Sequence, residues 1–163
     1  MANAEIVSIG SELLLGQIVD TNAAWMAQRL AGLGMNLFYK TVVGDNPERM
    51  EDVIGRALRR SDMVITSGGL GPTQDDITRE VIARVTGRKL VLDPHLKDEI
   101  ETRFRRRGLV MTPNNDRQAC IPQGALPVQN PNGTAPSFVV EDPRGVAGRG
   151  TESNITVKHF LIG

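Results

Sequence analysis

The chain has little cysteine, no excess of charge and no long apolar run, and each shortage closes off a class of function. Its 163 residues hold one cysteine, Cys120, which excludes an internal disulfide and fits a reducing, cytoplasmic compartment. Nineteen basic and 19 acidic residues cancel to a formal charge of zero, so no global field draws the chain to nucleic acid or to an anionic membrane. No stretch approaches the roughly 20 apolar residues of a membrane span, and Met1-Ala2-Asn3-Ala4-Glu5 has no basic region leading into an apolar one. The expectation is a soluble, unexported protein with neither nucleic acid nor membrane as partner. The two histidines, His95 and His159, lie outside every motif, and there is no repeat, low-complexity run or linker. The length is that of one ordinary domain, able to bury a core without covalent staples.

The chain is organised around Thr66-Ser67-Gly68-Gly69-Leu70-Gly71-Pro72-Thr73-Gln74-Asp75-Asp76-Ile77-Thr78. Asp62-Met63-Val64-Ile65-Thr66 before it reads as a short buried strand, and Ile77, Val81, Ile82 and Val85 after it recur at helical spacing. A strand-to-helix turn presents backbone N–H groups at the positive end of a helix dipole, which suits an anion such as a phosphate. Gly68, Gly69 and Gly71 lack a Cβ, so the backbone can take positive φ and a ligand can approach it. Asp75 and Asp76 would repel that anion unless a divalent cation bridged them to it. The competing reading is a tight turn in which Thr73, Asp75, Asp76 or Thr78 caps the helix.

Taken in order, Glu5-Ile6-Val7-Ser8-Ile9 reads as the first strand, and Met26, Leu30 and Leu33 line a helix capped by Asn22 or Thr21. Glu12, in the connection between them, has no structural duty in this reading. Leu37-Phe38-Tyr39-Lys40-Thr41-Val42-Val43 reads as a second strand. Asn46-Pro47 then opens an amphipathic helix carrying Met50, Val53, Ile54, Ala57 and Leu58. Asp93-Pro94 opens another in the same way; its end, Arg103, Arg105, Arg106 and Arg107, puts cations where the helix dipole is negative. From Pro113 to Ala125 no period is sustained. Strands alternating with amphipathic helices predict an α/β fold, a mostly parallel sheet covered on both faces. In such folds ligands collect at the carboxyl ends of the strands, where Glu12, Asp45 and the glycine turn fall. A Rossmann domain is disfavoured, because no G-x-G-x-x-G follows the first strand.

Four motifs in this order carry a family resemblance: Gly10-Ser11-Glu12-Leu13-Leu14-Leu15-Gly16 with Asp20-Thr21-Asn22, the run Thr66 to Thr78, Gln118-Ala119 with Ile121-Pro122, and Asn130 with Gly133-Thr134-Ala135-Pro136. Over residues 4 to 141 the chain resembles the N-terminal domain of the CinA (competence/damage-inducible protein A) family, within the molybdopterin-binding domain superfamily. The resemblance implies a three-layer α/β/α sandwich, commonly oligomeric, taking a small-molecule nucleotide or pterin. It implies that Asp45 and Asp76 are catalytic and that Glu12, Asp45 and Asp76 hold a divalent metal such as magnesium. It further implies that Ser67, Gly68, Gly69, Gly71, Thr73, Gly133 and Thr134 bind the ligand or its phosphates. In the molybdopterin relatives the matching aspartates serve binding and adenylation of the pterin; in CinA proteins the domain is associated with metal-dependent hydrolysis of ADP-ribose. The two functions expected are such a nucleotide pyrophosphatase and a binding module without turnover. Ser137 replaces the family's usual glycine, and after Arg144 its Pro-Gly-Val-Pro turn is missing, with Gly145-Val146-Ala147-Gly148 at best a remnant. Residues 1–143 are therefore read as the domain and 144–163 as a divergent, poorly anchored tail without the deamidase domain of full-length relatives.

Overall fold

A computed structural model describes residues 1–131, 133–142 and 155–159. In chain order the elements are β1 (Asn3–Ile9), α1 (Ser11–Leu14), α2 (Thr21–Gly32), β2 (Asn36–Val43), α3 (Pro47–Arg60), β3 (Met63–Ser67) and α4 (Thr78–Val85). There follow β4 (Leu90–Leu92), α5 (Pro94–Arg106), a 3₁₀ helix (Pro113–Ala119), β5 (Cys120–Pro122), β6 (Leu126–Val128), β7 (Ser137–Asp142) and β8 (Ile155–His159). The main sheet runs β2-β1-β3-β8-β7-β6. Its first four strands are parallel; β7 pairs antiparallel with β8, and β6 antiparallel with β7. The mostly parallel α/β sheet expected from the sequence is present.

Because successive strand residues face opposite ways, β1 feeds two cores at once. Ala4 and Ile6 join Ala23, Met26 and Leu30 of α2 on one face. On the other, Val7 and Ile9 join Met50, Ile54 and Ala57 of α3, Val81 and Ile82 of α4, and Leu96 and Ile100 of α5. Three layers result. Asn46 accepts from the Arg49 amide and Asp93 from those of His95 and Leu96, as the cap-then-proline pattern predicts.

Three expectations are revised. The cap of α2 is Asp20, whose Oδ1 accepts from the Ala23 amide at 2.9 Å, and not Thr21 or Asn22. The aperiodic run after Pro113 is a 3₁₀ helix leading into β5, which pairs antiparallel with β4; a helix of three residues per turn leaves no 3.6-residue signature. Ile155–His159, assigned to a poorly anchored tail, is strand β8 inside the sheet between β3 and β7, where ladder bonds on both sides stand in for an amphipathic pattern. The remnant Gly145-Val146-Ala147-Gly148 lies outside the described residues.

Glu5 sits in the otherwise apolar β1 with its side chain fully buried. The guanidinium of Arg60 at the end of α3 grips it through Nε at 2.9 Å and Nη2 at 2.6 Å, and the Ser61 hydroxyl adds a donor at 3.2 Å. That fork raises the Arg60 pKa, and the Tyr39 ring stacks on the guanidinium at 3.5 Å. Removing one partner of a buried pair costs about 3–5 kcal/mol. Arg60 is 39 % exposed, so water can partly replace it. Arg60→Met is accordingly expected to lose about 3 kcal/mol, the lower end of that range, measured by urea unfolding. A loss below about 1 kcal/mol would mean that Glu5 is hydrated in the variant.

Candidate functional site

From β1 the sheet grows to β2 on one side and to β3 on the other, so the strand order reverses between β1 and β3. Parallel α/β sheets bind ligands at such a reversal, beyond the carboxyl ends of the strands. A cleft of about 170 Å³ opens there. Ser8, Glu12, Asp20, Asn22, Ser67 and Gly68 give it polar groups, and Ile9, Leu13, Ile18 and Val19 an apolar wall. Of the expected site residues it gathers Glu12, Ser67 and Gly68; Ser8 and Asp20 join them unforeseen. Ser8 is 1 % exposed, and its Oγ and Asp20 Oδ2 are buried atoms without a hydrogen-bond partner. An unpaired buried polar atom costs roughly 1–3 kcal/mol, so a pair of them marks a place awaiting a partner. A larger hollow of about 290 Å³ against α5 and the 3₁₀ helix has no such atom, and its Lys97 and Asp116 satisfy each other at 3.0 Å.

The glycine turn is bonded to itself. Thr73 N and Thr73 Oγ1 both donate to Asp76 Oδ2, at 2.9 and 2.5 Å. The amides of Asp76, Ile77 and Thr78 donate to the carbonyls of Thr73, Asp75 and Gly69. The amides of Thr73, Asp76, Ile77 and Thr78 are thus engaged within the loop, and α4 starts at Thr78 without a side-chain cap. Gly68 and Gly69 have φ of +106° and +67°. A Cβ on Gly68 would strike the Ile9 carbonyl, one on Gly69 the Thr78 hydroxyl, and one on Gly71 the Asp76 carboxylate. The glycines thus let the loop close on the protein itself. Arg79, absent from the expected site, holds this loop from beneath: its Nη2 donates to the Leu70 carbonyl and its Nη1 to that of Gly71 at 3.4 Å. The side chain is 1 % exposed, and burial pushes its pKa down to about 10, leaving it a cation at neutral pH. Arg117 latches the loop from outside, donating to Thr73 O at 2.7 Å and to Glu80 Oε1 at 2.8 Å.

The expected metal ligands do not converge. Asp45 Oδ2 accepts from Ser11 N and Ser11 Oγ, both at 2.9 Å, tying the loop after β2 to the start of α1. Asp76 is committed to Thr73, and Glu12 is exposed beside Gly10. Among the described residues no three His, Cys, Asp or Glu side chains gather in a way that could hold a metal ion. The carboxylates as they stand do not fit the divalent ion.

Gly133 and Thr134 also lie apart from the cleft. Arg103 donates to the carbonyls of Asn130 and Gly133, Asn130 Oδ1 accepts from Gly133 N at 3.1 Å, and Gln118 Nε2 reaches Thr134 Oγ1 at 3.2 Å. Arg103 is thus a structural clamp within the basic end of α5. Burial raises the Cys120 thiol above its usual pKa. Among the described residues no helix is long and apolar enough to cross a membrane.

Comparison with known proteins adds the lineage. Residues 5–157 match the family model described as "Probable molybdopterin binding domain". A "Putative competence-damage inducible protein" of Symbiobacterium thermophilum is 53% identical over 137 residues, which are 84% of this chain and 32% of that protein. The chain spans about a third of the length of the curated relatives it matches. The crystal structure of CinA from Thermoplasma acidophilum superposes with a TM-score of 0.82 at 32% identity, covering 98% of this chain and 88% of that one. The molybdopterin biosynthesis enzyme MoaB of Thermus thermophilus shares the fold, with a TM-score of 0.57 at 19% identity over 99% of this chain and 81% of its own.

Proposed function

This chain belongs to the CinA family, its domain being of the molybdopterin-binding type, and on that premise we propose that the cleft between β1 and β3 binds the ring system of a pterin or nucleotide without turning it over. The observation that carries the reading is the pair of unpartnered atoms, Ser8 Oγ and Asp20 Oδ2, on two residues that line a cleft with apolar side chains at the strand-order reversal. Typical small-molecule sites measure roughly 300–1,000 Å³. At about 170 Å³ this cleft takes one heterocycle and leaves the sugar and phosphates outside.

Hydrolysis of ADP-ribose is the competing function. It requires Asp76 to act with Asp45 or Glu12, and Asp45 and Asp76 are engaged in holding loops. The test is isothermal calorimetry with neopterin, guanosine monophosphate, ADP-ribose and ring-free ribose 5-phosphate, each with and without magnesium, beside an assay of ADP-ribose turnover. The expected result is one-to-one binding of at least one ring-bearing probe, none of ribose 5-phosphate, and no turnover. Absence of binding by every ring-bearing probe overturns the reading. Magnesium-dependent turnover that Asp76→Asn cuts by about 10²-fold or more replaces it with the hydrolase.

A further inference from the structure

The cleft has two carboxylate residues, Glu12 and Asp20, and no Lys, Arg or His among its lining residues. An anion entering it would meet acceptors and negative charge. A group carrying N–H donors would meet what it needs. Asp20 Oδ1 is used by the helix cap, while Oδ2 is buried and unpaired, with the unpaired hydroxyl of Ser8 lining the same cleft. Both atoms are covered from solvent, so a ring must push aside part of the wall to reach them. The part made by Leu13, Ile18 and Val19 belongs to the connection after β1, in which Ile18 is 54 % and Val19 83 % exposed, and a segment so little packed moves at least cost. The same side chains then cover the faces of a flat ring.

We infer that Asp20, with Ser8 lining the same cleft, is the specificity-determining acceptor of this cleft, reading a ring edge with adjacent N–H donors, as in a 2-amino-4-oxopyrimidine, while any phosphate stays outside. This rests on the proposed binding of a ring in the cleft. Adenine fits less well, because its amino donor neighbours a ring nitrogen whose lone pair faces the carboxylate. The inference extends the site to two residues outside the glycine motif and orders ligands by their hydrogen-bonding edge.

The test compares matched uncharged probes on the wild-type protein: guanosine against inosine and adenosine, and pterin against lumazine, in which the 2-amino group is replaced by an oxo group. A hydrogen bond to a charged acceptor is worth about a 10- to 100-fold difference in affinity, and that preference for guanosine and pterin is the expected result. Asp20→Asn retains a side-chain oxygen for the helix cap and should abolish the preference; Ser8→Ala should weaken both preferred probes several-fold. Equal binding of amino and oxo partners, or adenosine binding as well as guanosine, overturns the inference and leaves the ring-binding reading standing. Failure of all five probes to bind overturns both.

Discussion

Gly68→Ala is expected to lower the stability of the fold by about 4 kcal/mol, which for a chain of this size lowers the midpoint of thermal unfolding by roughly 8–16 °C. Two costs add. The residue has φ of +106°, where an L side chain is strained by about 1–3 kcal/mol. The new methyl would also collide with the carbonyl of Ile9, at the end of the central strand β1, whose register with Val43 of β2 restrains it from moving aside. Overpacking of this kind costs about 1–3 kcal/mol more. Gly16→Ala separates the two terms: its φ is +69° and nothing lies within 4 Å of the added carbon, so it should cost only about 1 kcal/mol. Thermal unfolding of both variants by circular dichroism is the measurement. If the two fall together, the contact with Ile9 is relieved cheaply and the glycine is there for its conformation alone.

This prediction also changes what the glycine motif means. From the sequence, three glycines between a strand and a helix point to open backbone N–H groups. Composition alone cannot say whether the missing side chains make room for a ligand or for the protein. Here the room at Gly68, Gly69 and Gly71 is taken by Ile9, Thr78 and Asp76. The local signals were legible: short apolar or β-forming runs located β1, β2 and β3, helical spacing located α2 and α3, and the Asn46-Pro47 and Asp93-Pro94 pairs marked helix starts that the side-chain caps bear out. Strand β8 was not legible, because its place depends on ladder bonds with β3 and β7 and not on a pattern of its own. The cleft was half legible. Glu12 stood out as a charge without a duty, and Ser67 and Gly68 fell within the motif. Ser8 was passed over as one polar residue in an apolar strand, although its position next to the loop was the available signal. Asp20 stood in the first family motif without a role of its own; that one oxygen caps and the other is left over is a fact of three dimensions.

Arg79 is the residue the sequence hid most completely, and its replacement carries the second large effect. An arginine two residues before Val81 reads as the polar side of an amphipathic helix. In the structure α4 is buried around most of its circumference, so Thr78 and Arg79 are as covered as Val81 and Ile82. The carboxylates of Glu80 and Asp76 offset part of the cost of burying the guanidinium, and the carbonyls of Leu70 and Gly71 accept from it. Its Nε has no partner, which makes the site costly even when intact. Arg79→Ala leaves both carbonyls unpaired and a cavity besides, for an expected loss of about 4 kcal/mol. Arg79→Met fills most of the space and removes the cost of burying a cation, so it should lose only about 1–2 kcal/mol. The alanine variant should also speed amide hydrogen exchange across Gly69 to Asp76, since the loop is held from beneath by this side chain, and should weaken binding of ring-bearing probes through Gly68. Urea unfolding with site-resolved exchange tests both points. An Arg79→Met protein more stable than wild type, with exchange in the turn unchanged, would show that Arg117 alone holds the loop and that the buried cation is a net liability.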